Sequence, residues 1–442
     1  MSRILIFDIG KTNKKAFVFD ESYTILWEKS IGLDEVADED GDPCEDLPQL
    51  ITWIKAVYEE VKAAYEIKAV NFSSYGATLV FLDGNGRVLT PLYNYLKAYP
   101  EELKRKFYDT YGSEAEVSAT TASPVLGSLN SGMLIYRLKH RRPEVFSAVK
   151  RILHLPNYLS FLFSGQKVTD ITSVGCHTQL WDFPRGAYHR WVGEEGIDRF
   201  LAPLHAPDQP FQGPDGVAVG IGLHDSSAAL IPYLKRFEEP FALLSTGTWN
   251  ITMNPFNEAP LSREELDNDC LCFLKTNGQS VKASRLLSGL YHEQEAAKIA
   301  RCFGITPAEL MMMDHGPEIE TEALCLENYR IQNPVSGPGR LWREYETAAQ
   351  AYHQLMADLV ALQKRSSDRV LKDAPVKRLY VDGGFSRSRI FMKMLSAAYP
   401  ETEVWASEVP QAPALGAALV LHGHWNGRPV PEDLIKLNPF TN

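Results

Sequence analysis

One short pattern opens each half of the chain, and its recurrence constrains the fold more than any other feature. Ile4-Leu5-Ile6-Phe7-Asp8 is an apolar run ending in a carboxylate, and Ala16-Phe17-Val18-Phe19-Asp20 is a second one. Residues 9–14 lie between them as a tight turn containing Gly10 and Asn13, which is the composition of a hairpin. Residues 241–245, Thr246-Gly247-Thr248 and residues 249–253 repeat strand, Gly/Thr turn and strand. The two copies share architecture rather than detectable sequence identity. A duplicated α/β domain with a cleft between the copies follows. The expected boundary falls near 235–240, giving domains 1–237 and 238–442.

The intervening chain supports a layered α/β design. Ile25-Leu26-Trp27-Glu28-Lys29-Ser30 reads as a third strand, while Leu47, Leu50, Ile54, Val57 and Val61 recur at helical spacing over 47–65. Strands are expected at 69–73 and 79–82, the latter closed by the Asp83-Gly84-Asn85-Gly86 turn. Residues 100–165 read as mostly helical, with Pro143 and Pro156 as punctuation, and the Pro- and Gly-rich 181–216 as irregular connections. A long helix is expected near 340–371, then a strand at 378–382 and a helix at 390–399. Residues 410–418 supply a small-residue helix expected to pack close to that strand.

At 442 residues, 45% hydrophobic and 23% charged, the chain has the length and balance for two or three globular domains. A net charge of −11 excludes the broad basic face that nucleic acid requires. The acidic run from Asp34 to Asp46 reads as a solvated loop and lacks the EF-hand calcium spacing. No apolar run is long enough for a membrane span, and no signal-peptide pattern precedes the first strand. The six cysteines are scattered; Cys270-Leu271-Cys272 has no second pair to complete a zinc site. Reduced thiols and a cytoplasmic location are expected.

Four stretches carry chemistry. In the first turn Gly10, Lys11, Thr12, Lys14 and Lys15 offer backbone, hydroxyl and amines to phosphate, and Asp8 just before them is placed to hold Mg2+. A basic hairpin tip is the plainer alternative. In Ser245-Thr246-Gly247-Thr248, Gly247 lets backbone approach a ligand and the hydroxyls can donate to phosphate, although Gly/Thr turns are common without a ligand. Asp382-Gly383-Gly384 follows a strand and precedes a helix, where close backbone contact and the helix dipole favour a nucleotide. Asp225, in Gly222-Leu223-His224-Asp225-Ser226, can take a proton from an attacking hydroxyl; the alternative is a helix cap. His224 reads as an orienting or packing residue.

In this order the stretches resemble the FGGY carbohydrate kinases of the actin/sugar-kinase/Hsp70 superfamily. Asp8-x-Gly10-x-Thr12 resembles the family's first phosphate motif, Ser245-Thr246-Gly247-Thr248 its second, Asp382-Gly383-Gly384 its adenosine motif, and His224-Asp225 its catalytic-base segment. Ser74-Tyr75-Gly76, the Ser-Thr-Gly-Thr-Trp turn and Thr178-Gln179-Leu180 resemble the rhamnulokinase-like branch. The chain departs from the family in Lys11 (usually Thr), Lys15 (often Arg) and Thr78 (acidic in that branch). The resemblance implies two actin/Hsp70-like (ribonuclease H-like) domains and an ATP- and Mg2+-dependent kinase. Its acceptor would be a ketose such as L-rhamnulose, L-fuculose or a pentulose.

By the same resemblance the sugar lies mainly on the N-terminal domain and ATP on the C-terminal one, with a homodimer as the family-level expectation. Asp225 would be the catalytic base and Asp8 the Mg2+ ligand. Gly10, Lys11, Thr12, Asn13, Lys15, Thr246, Gly247, Thr248, Gly383 and Gly384 would form the ATP site; Tyr75, Gly76, Thr78, Asn130, Gln179, His224 and Asp225 would form the sugar site. Two other readings use the same scaffold. A nucleotide or polyphosphate hydrolase would act without sugar, and a sensor would bind sugar or nucleotide without turnover.

Overall fold

The computed structural model describes residues 2–76, 78–313, 326–331, 340–409 and 411–440; Cys325, one of the six cysteines, and Pro410, at the start of the 410–418 segment, lie outside the described residues. Alternation decides the opening strand, Arg3–Ile9: Leu5, Phe7 and Ile9 enter one core and Ile4 and Ile6 another, so the strand is buried on both faces. The first face packs on helix Leu47–Ala64 through Leu50, Ile54, Val57 and Val61. That helix starts where Asp46 accepts the Gln49 N–H at 2.9 Å, with Pro48 in its first turn.

Strand pairing shows the duplication directly. Arg3–Ile9 pairs antiparallel with Lys14–Phe19, which pairs antiparallel with Ile25–Ile31. On its other edge Arg3–Ile9 pairs parallel with Ile67–Ser74, which carries Ala218–Val219 in parallel. The second sheet repeats every step. Phe241–Thr246 pairs antiparallel with Asn250–Asn254, and that strand antiparallel with Ser280–Leu286. On the other side Phe241–Thr246 pairs parallel with Arg378–Gly383, and that strand parallel with Glu403–Glu408.

Helix Asp225–Arg236 joins the halves. Its Ala228 and Ile231 sit in the core against the first sheet, its Leu230 and Tyr233 in the core against the second. Pro232 within it lacks the N–H that would bond the Ala228 carbonyl. Over that freed carbonyl lies Gly416 of helix Ala412–Val420, so close that a Cβ would stand 1.9 Å from the Ala228 oxygen. The tail helix therefore packs on the joining helix and the first sheet, not on strand Arg378–Gly383 as its position in sequence suggests. Asn71 Nδ2 secures it, donating to the Ala417 carbonyl at 2.8 Å, one of the acceptors the helix end leaves open.

Residues 100–165 are mostly helical, with one strand, Arg151–His154, paired with Leu79–Leu82; four residues, three of them buried, are too few to show a period of their own. Two other expectations are corrected. The long helix begins at Ala348, where the Thr347 hydroxyl accepts the Gln350 N–H, after a short turn at Trp342–Glu344. The acidic run is no solvated loop. Glu35–Ala37 and Pro43–Glu45 form a hairpin extended by Leu92–Tyr93, wrapped around the buried ammonium of Lys97. Lys97 Nζ pairs with Asp38, with Asp40 at 2.8 Å and with Asp42 at 3.0 Å, because a buried charge needs counter-charges around it. Among the described residues no helix is long and apolar enough to cross a membrane, and Cys44, Cys176, Cys270, Cys272 and Cys302 are free thiols.

Candidate active site

The two sheets present a matched pair of groups to the cleft. In the first, Asp8 lies in register with Ser73 on the neighbouring parallel strand; in the second, Ser245 lies in register with Asp382. Acid and hydroxyl have changed strands between the copies, yet each sheet ends in the same two groups. Asp225, the first residue of the joining helix, stands between them. Burial, and next the charge of Asp225, push the Asp8 carboxyl up to about 7, against the pull of Ser73 and Lys15. Burial also pushes Asp225 and Asp382 up to about 6 each. Asp225 and Asp382 border a cavity of about 820 Å3 together with Lys15, Gly383, Gly384 and Arg387.

Asp225 is held by its neighbours. Ser226 N–H donates to Oδ1 at 2.6 Å, and His224 Nε2 stands 3.3 Å from the same oxygen. Burial lowers His224 to about 3, so the ring is neutral at physiological pH. With its proton on Nε2 the ring donates toward Asp225, while Nδ1 accepts from Ser227 Oγ at 3.1 Å.

The first turn divides its lysines. Gly10 N–H donates to the Asn13 carbonyl at 3.0 Å, leaving Thr12 and Asn13 exposed at the tip. Lys15 faces Asp8 across the strand pair and reaches the cavity, where its Nζ donates to Gln411 Oε1 at 3.2 Å. Lys11 turns toward the acidic hairpin. Its Nζ is ion-paired with Glu35 at 2.6 Å and Glu45 at 2.9 Å, and buried Lys14 shares Glu45 at 2.9 Å. The acidic hairpin thus claims the ammonium that the sequence assigns to the nucleotide.

The second turn departs similarly. Thr246 is buried; its hydroxyl donates to the Asp382 carbonyl and accepts the Phe385 N–H at 2.9 Å. With its one proton so committed it does not donate to phosphate, and instead stitches the second turn to the Gly-Gly turn. Gly383 has φ +82° and a Cβ there would meet the Thr246 carbonyl oxygen at 1.9 Å, so only glycine fits. Thr248 keeps an exposed position, and with Gly247 it borders a second cavity of about 530 Å3 lined also by Leu290, Tyr352, Met356 and Phe385.

On the other side of Asp225 the wall is buried and polar. A Cβ on Gly76 would stand 2.4 Å from Cys176 Sγ and 3.2 Å from His224 Cδ2. Cys176 Sγ is 2.9 Å from His224 Nε2. Thr78 is buried beside the Tyr75 phenol. His154 and His177 stand close to His224, and burial lowers both to about 3, leaving neutral rings.

The Asn130 amide is fully engaged within the protein, whereas the Gln179 amide keeps one buried donor unmet. Asn130 Nδ2 donates to the His177 carbonyl at 2.8 Å and to Ser123 Oγ at 3.0 Å, while Oδ1 accepts the Leu126 N–H at 2.7 Å. Gln179 is buried, its Oε1 accepting from the Tyr108 hydroxyl at 3.1 Å and its carbonyl from Trp191 Nε1 at 2.8 Å. The Asn130 amide braces its loop; Gln179 Nε2 has no partner among the described residues, so this amide keeps a donor for a ligand.

Sequence reasoning missed Asp382 as a cavity carboxylate, along with Arg387, Gln411, Cys176, His154 and His177. Only Asp382 had a signal: it occupies the place in the second repeat that Ser73 occupies in the first.

The sequence model of the FGGY family of carbohydrate kinases, N-terminal domain, matches residues 3–194, and that of the carbohydrate kinase FGGY, C-terminal domain, matches residues 238–429. The chain is 26% identical to the rhamnulokinase of Bacteroides thetaiotaomicron, over 75% of this chain and 72% of that protein. It is 22% identical to a rhamnulokinase of Yersinia pestis, over 75% and 70%. The match to the rhamnulokinase of Halalkalibacterium halodurans spans 40% of that protein, at 23% identity.

Among solved structures, a carbohydrate kinase from Novosphingobium aromaticivorans superposes with a TM-score of 0.82 at 20% identity, covering 100% of this chain and 95% of that one. A xylulose kinase from Rhodospirillum rubrum gives 0.81 at 17%, covering 99% and 94%. These likenesses speak to the fold, which is the two-domain, actin-like and ribonuclease H-like arrangement. Matched in both of its domains, the chain belongs to the FGGY family of carbohydrate kinases and is a sugar kinase.

Proposed function

We propose that the protein transfers the γ-phosphoryl group of MgATP to a hydroxyl of a ketose, such as L-rhamnulose, L-fuculose or a pentulose. The observation that carries this reading is Asp225: a carboxylate at the head of the joining helix, facing the cleft cavity beside Lys15 and the Gly383-Gly384 turn. Raised to about 6, it is ionised at neutral pH and more basic than an ordinary carboxylate, which suits a group that takes the acceptor's proton. The rhamnulokinase relatives support the ketose branch.

The residues present fit a divalent cation. Asp8 and Asp382 are carboxylates pushed up by burial, and Asp8 also by the charge of Asp225; a cation between the strand ends relieves that penalty. When bound, Mg2+ would neutralise charge on the β- and γ-phosphates. Lys15, Thr12, Asn13 and Thr248 would surround the phosphates, the bare backbone of Gly10, Gly247, Gly383 and Gly384 letting them approach. The cavity beside Phe385 and Leu290 is apolar enough for the base.

In this reading Tyr75, Gly76, Thr78, His224 and the neutral His154 and His177 line the acceptor side, where burial excludes water that would otherwise hydrolyse ATP. The sugar would lie on residues 1–237 and ATP on 238–442, with the joining helix as the pivot for closure. The free thiols suit a reducing cytoplasm.

The test is ADP release from MgATP across ketoses, polyols and aldoses. Strong stimulation by one ketose supports the reading. Hydrolysis indifferent to any sugar contradicts it.

A further inference from the structure

A third cavity, of about 810 Å3, shares no lining residue with the two described above. The first domain contributes Ser118 and residues 124–126 to its wall, and the second domain contributes Arg263, Arg285, Arg365 and Arg369. Two of these arginines are neutralised: Arg263 by Asp267 at 2.8 Å and Arg285 by Asp269 at 2.7 Å. Glu114, on the opposite wall, is taken by Lys104 at 2.9 Å.

The other two arginines have no carboxylate partner among the described residues. Arg369 donates only to neutral oxygens, the Arg365 carbonyl at 2.9 Å and Asn268 Oδ1 at 2.8 Å. Arg365 is exposed and makes no ion pair there. Two buried donors on the same wall are also unmet. Ser366, 4% exposed, has no hydrogen-bond partner at Oγ, and Arg285 has none at Nε. Surplus positive charge beside unsatisfied buried donors calls for an anion, since a buried donor left without an acceptor is costly.

We propose that this interdomain cavity binds a small anion bearing phosphate or carboxylate oxygens, held by Arg365, Arg369, Ser366 and the free edge of Arg285. Guanidinium groups match such oxygens two at a time. Arg285 links the cavity to the chemistry in two ways. Its guanidinium lies 5.2 Å over the ring of Trp249, the residue after Thr248, and its charge acts on His177 beside His224. The anion is either a separate effector or a charged substituent at the far end of the acceptor. Binding stands independently of the kinase reading; only the second source rests on it.

The experiment is calorimetric titration of the full chain with inorganic phosphate and with citrate, in wild type and in the R365Q/R369Q variant, with ADP as a parallel ligand. Arg365 is exposed and Arg369 partly so; the variant is therefore expected to fold, and unchanged ADP binding verifies this. The expected result is phosphate or citrate affinity weakened at least about tenfold in the variant, with ADP affinity retained. A K15M variant should keep anion binding while losing ADP affinity, which separates this cavity from the nucleotide's phosphate site. Equal anion affinity in wild type and R365Q/R369Q, or no anion binding by a wild type that binds ADP, overturns the proposal. In the kinase assay, preference for acceptors carrying a carboxylate or phosphate, lost in the variant, assigns the anion to the acceptor. A rate altered by free phosphate at constant acceptor preference assigns it to an effector.

Discussion

His224 Nε2 stands 3.3 Å from Asp225 Oδ1, and burial keeps the histidine neutral down to a pH of about 3. Of this pair only Asp225, raised to about 6, titrates in the physiological range. At Mg2+ concentrations high enough to keep Asp8 and Asp382 ionised, kcat/KM is expected to rise with pH through about 6, as Asp225 loses its proton, and then level. His224→Asn should lower kcat by roughly 10- to 100-fold, by loosening the base, and move the limb toward higher pH, because the carboxylate loses the donor at Nε2, while the ATP KM stays put. A pH profile of both proteins checks this.

The same carboxylate should cost stability. Its pKa is raised on folding, so the unfavourable burial of charge is absent below 3.8, where both states are protonated, and complete above about 6. Asp225→Asn should therefore raise the Tm of the free protein at pH 8. The gain should be about 1 kcal/mol, because 30% of the side chain remains exposed. It should vanish as pH falls toward 4. His154, His177 and His224 act oppositely: lowered to about 3, they contribute stability that is present above 6.5 and lost as pH falls below it. Without Asp225 to offset them, the variant's Tm should fall more steeply in acid. Melting curves from pH 4 to 8 decide it.

Lys11 and Lys15 should part company kinetically. Lys11 is committed to Glu35 and Glu45, so Lys11→Met should leave the ATP KM within about threefold of wild type, whereas Lys15→Met should lower kcat/KM for ATP at least about 100-fold. Glu45→Gln should instead act on stability. It strips buried Lys14 of its carboxylate and should lower stability by about 3 kcal/mol in denaturant unfolding.

Gly416→Ala probes the joint between the tail helix and the joining helix. Its Cβ would stand 1.9 Å from the Ala228 carbonyl oxygen, so the helices must separate. A loss of about 1–3 kcal/mol is expected. Pro232→Ala in the same background should not restore it, because the clash is with backbone. Chemical denaturation of both variants measures this.

Much of this was legible in the chain. The Asp8 and Ser245 strands, the Gly383 turn and the placing of Asp225 at a helix start all follow from short local patterns, and local patterns survive folding. What escaped depended on distant partners. Nothing near Lys11 announces Glu35 and Glu45, though a basic turn and an acidic run in one chain invite pairing. Asn130 carries the same amide whether it binds sugar or braces a loop, and only its partners in the fold distinguish the two. The destination of the tail helix rests on a carbonyl freed by Pro232, almost two hundred residues away, and hydrophobic periodicity carries no record of such a contact.

The most direct test of the central claim is phosphoryl transfer by Asp225→Asn, using the ketose that best stimulates wild type, with ADP affinity measured on the same preparation. The account predicts transfer reduced by about 100- to 10,000-fold with ADP affinity unchanged. Sugar-dependent transfer within tenfold of wild type would contradict it, and would mean that some other group takes the acceptor's proton.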